Sequence, residues 1–193
     1  GDIRSMRKVL QLLSIVVVGI AVALMLISPE LVLIFGSPKY REAVYVIPPV
    51  AASVFFIFIY NILSMPQFYY EKTQFLMAAS MAAAGANVVL NFIFIRLFGY
   101  IAAGYTTLAC YMLYSVGHYI VSKRILVNEG IQENLMNPGF LLACSVFLIG
   151  ASIICNLIFP YRILRYAILL ASAGLVFWKK ELLLKTMADI RKK

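Results

Sequence analysis

The chain carries little that could make or break a covalent bond. Its reactive equipment is eight carboxylates, one histidine and three cysteines in 193 residues. Metal-assisted transfer to a lipid phosphate needs clustered carboxylates, and no DxxD or HxxE spacing occurs. A Ser/His/acid triad needs a carboxylate within reach of the imidazole, and His118 has none in its own apolar segment. Such a histidine reads first as a packed or interfacial residue rather than a proton carrier. Cys110, Cys144 and Cys155 lie inside apolar runs, in no CxxC or Cys/His pattern, and read as small core residues. No catalytic residue, metal ligand or cofactor is assigned, and a membrane-embedded glycosyl or prenyl transferase is a disfavoured reading.

The informative residues are polar ones inside apolar runs, because a polar group in hydrocarbon is costly. Phe75, Ala79, Ala83, Asn87, Asn91 and Ile95 are spaced by four and so share one helix face. Small residues there allow a close helix–helix approach, and the two amides can bond across it or line a cavity. Asn87 and Asn91 cannot titrate, so neither relays protons. Asn61 is a further amide in an apolar run, and Arg96 reads first as an anchor at a helix end. Pro48 and Pro49 remove two backbone donors inside an apolar run. They are expected to kink it and are the hinge candidates. Tyr40, Tyr45, Tyr69, Tyr70, Tyr100, Tyr161 and Trp178 fall near segment ends, as an interfacial aromatic belt would place them.

Composition says what must surround these residues. Apolar residues make up 63% of the chain, charged ones 13%, and mean hydropathy is +0.93. A soluble domain is about a quarter charged, so lipid is the expected solvent and the fold class is an all-α polytopic membrane helix bundle. Six segments approach the length of about 20 residues that a span needs: residues 9–28, 43–64, 75–95, 101–121, 139–159 and, weakest, 163–178. Breaks are expected at Ser28-Pro29-Glu30, Gly36-Ser37-Pro38, Met65-Pro66-Gln67, Phe98-Gly99 and Asn137-Pro138-Gly139. Every Asp and Glu, Glu30 included, then falls in a loop or flank.

Net charge is +9, but the basic residues flank apolar runs, which favours a membrane over nucleic acid. Six spans put Arg4, Arg7, Lys8, Lys72, Lys123, Arg124 and the basic tail on one side. Lys39, Arg41, Arg96, Arg162 and Arg165 lie on the other. The positive-inside rule makes both ends cytoplasmic. Residues 179–193, with Leu183, Met187 and Ile190 at helical spacing, suit a helix lying on anionic headgroups. The chain begins Gly-Asp-Ile-Arg, like a loop between spans, which suggests a piece of a longer protein.

Three stretches resemble a known family. Leu26-Ile27-Ser28-Pro29-Glu30 through Phe35-Gly36 and Tyr40-Arg41-Glu42-Ala43 is the first. Asn87-Val88-Val89-Leu90-Asn91 followed by Phe98-Gly99 is the second. Gly99-Tyr100-Ile101-Ala102-Ala103-Gly104-Tyr105-Thr106-Thr107 is the third, departing from the family pattern at Ala102, Gly104 and Thr106. Together they resemble the polysaccharide and oligosaccharide flippases of the multidrug/oligosaccharidyl-lipid/polysaccharide exporter superfamily. The resemblance implies the second lobe of a two-lobe transporter. Residues 1–125 would supply four spans of that lobe, and residues 126–193 two additional C-terminal spans and a basic tail. It implies an inner-membrane protein that moves undecaprenyl-pyrophosphate-linked oligosaccharide outward by alternating access, with Asn61, Asn87, Asn91 and Arg96 as the candidate substrate-path residues of this half. Its partners would be the lipid-linked oligosaccharide, membrane lipids and an N-terminal lobe of the same protein, with no nucleic acid. A cation-coupled multidrug extruder and a lipid II flippase of the same superfamily are the alternatives. Extruders usually carry acidic residues within their spans, which the placement of Glu30 in a loop speaks against.

Overall fold

A computed structural model describes residues 3–178, so the basic tail lies outside the described residues. The described chain is helical: α1 (Ile3–Phe35), a 3₁₀-helix (Pro38–Val46), α2 (Ile47–Tyr69), α3 (Gln74–Phe98), α4 (Ala102–Asn128), α5 (Pro138–Ile158) and α6 (Arg162–Trp178). Four stretches are long and apolar enough to cross a membrane: Ser5–Phe35, Lys39–Tyr69, Gln74–Phe98 and Pro138–Ile158. α4 and α6 fall outside that group. The described α6 has 17 residues. α4 is diluted by Thr106, Ser115, His118 and Ser122, but these four are buried, so its polar face looks into protein.

α2 is the centre of the bundle. Its Phe55, Phe56, Ile59 and Leu63 pack with Met25 and Leu26 of α1, Leu108 of α4 and Leu148 of α5. α4 has its most extensive contact with α2 and also packs on α3. α3 has no buried residue. Along it, Phe75, Ala79, Ala83, Asn87 and Asn91 are half-buried, whereas Met77, Met81, Val88 and Phe92 are exposed. The four-residue spacing therefore does mark the face turned to α4. Only Ile95, at the stripe's end, is exposed.

Three expected breaks are real, and each has a local cause. Gly99 leaves α3 at φ 76° and its N–H closes on the Ile95 carbonyl, a positive-φ ending that favours glycine. Asn137 caps α5 by accepting from the Gly139 N–H at 2.9 Å, with Pro138 at the first helical position. The chain also leaves α1 at Gly36.

Two expected breaks are not there. α1 runs through Ser28-Pro29-Glu30 to Phe35. Pro29 lacks the N–H that would bond the Met25 carbonyl, and the Ser28 hydroxyl donates to that carbonyl instead, at 2.8 Å. α2 likewise continues past Pro66 to Tyr69.

Pro48 and Pro49 sit in the first turn of α2 rather than in mid-helix. A proline there forfeits little, since the first helical N–H groups have no intrahelical acceptor. The preceding 3₁₀-helix runs directly into α2, and its freed carbonyls find other partners. The Ile47 N–H bonds the Val44 carbonyl, and Asn156 Nδ2 of α5 approaches the Tyr45 carbonyl at 3.5 Å. Against this junction lies Gly104 of α4. A Cβ there would stand 2.8 Å from Pro49 Cγ and 2.9 Å from the Val46 carbonyl oxygen. The glycine at position 104 thus has a steric reason in this chain: α4 rests its backbone on the 3₁₀–α2 junction.

Candidate functional site

The α3 stripe meets α4 through side chains the sequence singled out. Asn91 Nδ2 donates to Asn87 Oδ1 at 2.8 Å, and Thr106 Oγ1 of α4 donates to Asn91 Oδ1 at 2.5 Å. Asn91 is therefore a rivet between helices, using its carbonyl across the contact and its amide along α3. Asn87 accepts that amide, and its own NH2 group faces a cleft of about 480 Å³ between α2, α3 and α4.

The cleft has mixed polar and apolar walls, and no charged side chain among the described residues lines it. Tyr60 of α2, Ser80 and Asn87 of α3, and Thr107, Tyr111 and Tyr114 of α4 line it, with Ala83, Ala84, Val88 and Cys110 between them. The Tyr60 and Tyr111 rings lie nearly parallel, 6.3 Å apart, and Tyr114 is tilted against Tyr60 at 4.7 Å. The Ser80 and Tyr114 hydroxyls are 2.6 Å apart. Small residues on α3 keep this space open, because a larger side chain at 83 or 84 would enter it.

His118 sits beneath these aromatics and is wholly buried. Its ring touches Tyr60, Tyr114 and Phe75 at centroid distances of 5.8, 4.5 and 5.6 Å. Its Nδ1 is 2.8 Å from Gln67 Nε2. This contact ties α4 to α2 through two buried side chains. His118 is thus a packed residue that braces two cleft tyrosines from behind.

The other candidates do not join the cleft. Asn61 is exposed and donates to the Ile57 carbonyl of its own helix at 2.7 Å, so it relieves no freed carbonyl elsewhere. Arg96 is exposed in the last turn of α3, its guanidinium 3.9 Å over the Phe92 ring. Pro48 and Pro49 are buried at the 3₁₀–α2 junction. The tyrosines 60, 111 and 114 had no mark in the sequence beyond their number. Only their i, i+3 spacing on α4 and their place in apolar runs set them apart from belt tyrosines.

A second polar centre was missed outright. Arg165 of α6 is 2% exposed and grips Glu30 of α1 with both terminal nitrogens at 2.8 Å. It also donates to the Leu26 carbonyl at 2.7 Å, and the Tyr166 hydroxyl donates to Glu30 at 2.9 Å. Glu30 is therefore not a loop residue but lies within α1, and Arg165 does not reach outward to solvent. The two are 135 positions apart, beyond any local pattern. Three donors to its carboxylate leave Glu30 fully engaged, and the cluster fastens α6 to α1.

No known family, curated protein or solved structure matches this chain.

Proposed function

We propose that the chain is one lobe of a membrane transporter that carries a lipid-linked oligosaccharide from the cytoplasmic to the outer leaflet. In this reading α4 and α6 join the four apolar stretches as spans, both ends face the cytoplasm, and the membrane is the cell's inner one. A pyrophosphate-sugar head cannot cross hydrocarbon unaided because its desolvation is prohibitive. It needs a polar passage walled by protein.

The cleft between α2, α3 and α4 is the observation that carries the proposal. Elsewhere the bundle's outer faces are apolar, as at Val146, Phe147, Leu157 and Ile163. Asn87, Thr107 and the Tyr60 and Tyr111 hydroxyls would lose their hydrogen bonds if hydrocarbon lay against them, which spanning proteins avoid. Such a face fits an aqueous cavity or a partner lobe, as alternating access requires. Glu30 inside α1 would suit a cation-coupled extruder, but both of its oxygens are held by Arg165, which favours the flippase.

The test is deletion of the parent gene. Lipid-linked glycan units should accumulate at the inner leaflet while surface glycan falls. Normal surface glycan, in a strain lacking any second exporter, contradicts the reading.

A further inference from the structure

Resting on that reading, we propose that the α2–α3–α4 cleft binds an uncharged sugar ring of the cargo, and that the cargo's charged part is held elsewhere. Three features of the cleft carry this. First, its volume of about 480 Å³ lies within the range of small-ligand sites, roughly 300–1,000 Å³. Second, apart from the paired Ser80 and Tyr114 hydroxyls, it presents polar groups of both kinds without a bonded partner. Asn87 Nδ2 is a pure donor, whereas the hydroxyls of Tyr60, Thr107 and Tyr111 donate or accept. None of these is bonded to a described residue. A sugar hydroxyl also both donates and accepts, so one ring can satisfy several such groups at once. Third, Tyr60, Tyr111 and Tyr114 with Ala83, Ala84 and Val88 give the wall apolar surface as well, which suits the C–H face of a pyranose.

Charge decides against the other ligands. Among the described residues, no Lys, Arg, Asp or Glu lines the cleft. A pyrophosphate would shed water without gaining a cation, and an organic cation would shed it without a counter-ion. Ring faces alone attract a cation too weakly to replace its lost hydration. An uncharged polyol meets no such penalty.

Saturation-transfer NMR on the natural full-length protein in lipid nanodiscs tests this, with chitobiose and cellobiose as probes beside geranyl pyrophosphate and tetraphenylphosphonium. The neutral disaccharides should receive saturation. Ala84→Phe, which fills the cleft and removes no hydrogen bond, should abolish it. Tyr111→Phe, which deletes one hydroxyl without a protein partner, should weaken binding about fivefold. Absence of disaccharide binding, binding unchanged in Ala84→Phe, or Ala84→Phe-sensitive binding of either charged probe would each overturn the assignment. These results are separate from the deletion experiment: a strain that loses surface glycan while the cleft ignores sugars keeps the exporter and sinks only the cleft's role.

Discussion

The α1–α6 contact and the α3–α4 contact place polar groups in an apolar bundle in opposite ways. At the first, a charge pair joins a buried Arg165 to a half-buried Glu30, each carboxylate oxygen matched to a guanidinium nitrogen, with only Arg165 Nε left without a partner among the described residues. At the second, uncharged amides and hydroxyls are only partly matched, and the surplus faces open space. A buried charge demands an opposite partner, because a lone buried charge costs far more than a lone hydroxyl. Satisfied groups hold helices together but have nothing left for a ligand. The difference separates a structural fastening from a place that can bind.

The largest expected effect follows from breaking the fastening on one side. Arg165→Leu strands Glu30 without its partner and should lower stability by about 3–5 kcal/mol, read as the loss of folded protein in a detergent-denaturation curve. Glu30→Leu together with Arg165→Leu should recover most of that loss. If the single and double variants are equally damaged, the pair is not the fastening described. A smaller effect is expected at Gly104→Ala, whose Cβ would meet Pro49 Cγ at 2.8 Å. Overpacking of this kind costs about 1–3 kcal/mol, and an unaltered denaturation midpoint would show that α4 does not rest on the junction. Thr106→Val removes the bond to Asn91, and interhelical hydrogen bonds in membranes average about 0.6 kcal/mol. Its mark should be local: faster amide exchange in α3 than in α5. Equal exchange would mean that the asparagine rivet does not hold α3.

Local pattern made the helical architecture legible. The four-residue spacing of Ala79, Ala83, Asn87 and Asn91 located the α3 face that meets α4, because helix periodicity maps directly onto contact. Gly99 and Asn137 marked helix ends through chemistry confined to a few residues. Pro29 misled because proline was taken to end a helix, whereas the neighbouring Ser28 hydroxyl replaces the missing donor. The pairing of Glu30 with Arg165 was invisible for another reason. It depends on how α6 returns to α1, and nothing within either segment encodes that meeting. The cleft was half visible: Asn87 announced itself as an amide in an apolar run, but Tyr60, Tyr111 and Tyr114 looked like any other tyrosines. The segment 101–121 was legible as a helix, α4, but not that α2 and α3 cover the polar residues that lower its hydropathy.

The most direct test asks which outer face meets water. Spin labels placed singly at Ala84, in the cleft, and at Val146, on the outer side of α5, can be compared in nanodiscs in a background lacking Cys110, Cys144 and Cys155. The label at 84 should be relaxed mainly by a water-soluble nickel chelate, and the label at 146 mainly by oxygen dissolved in lipid. Oxygen-dominated relaxation at both positions would put hydrocarbon against the cleft and contradict the account.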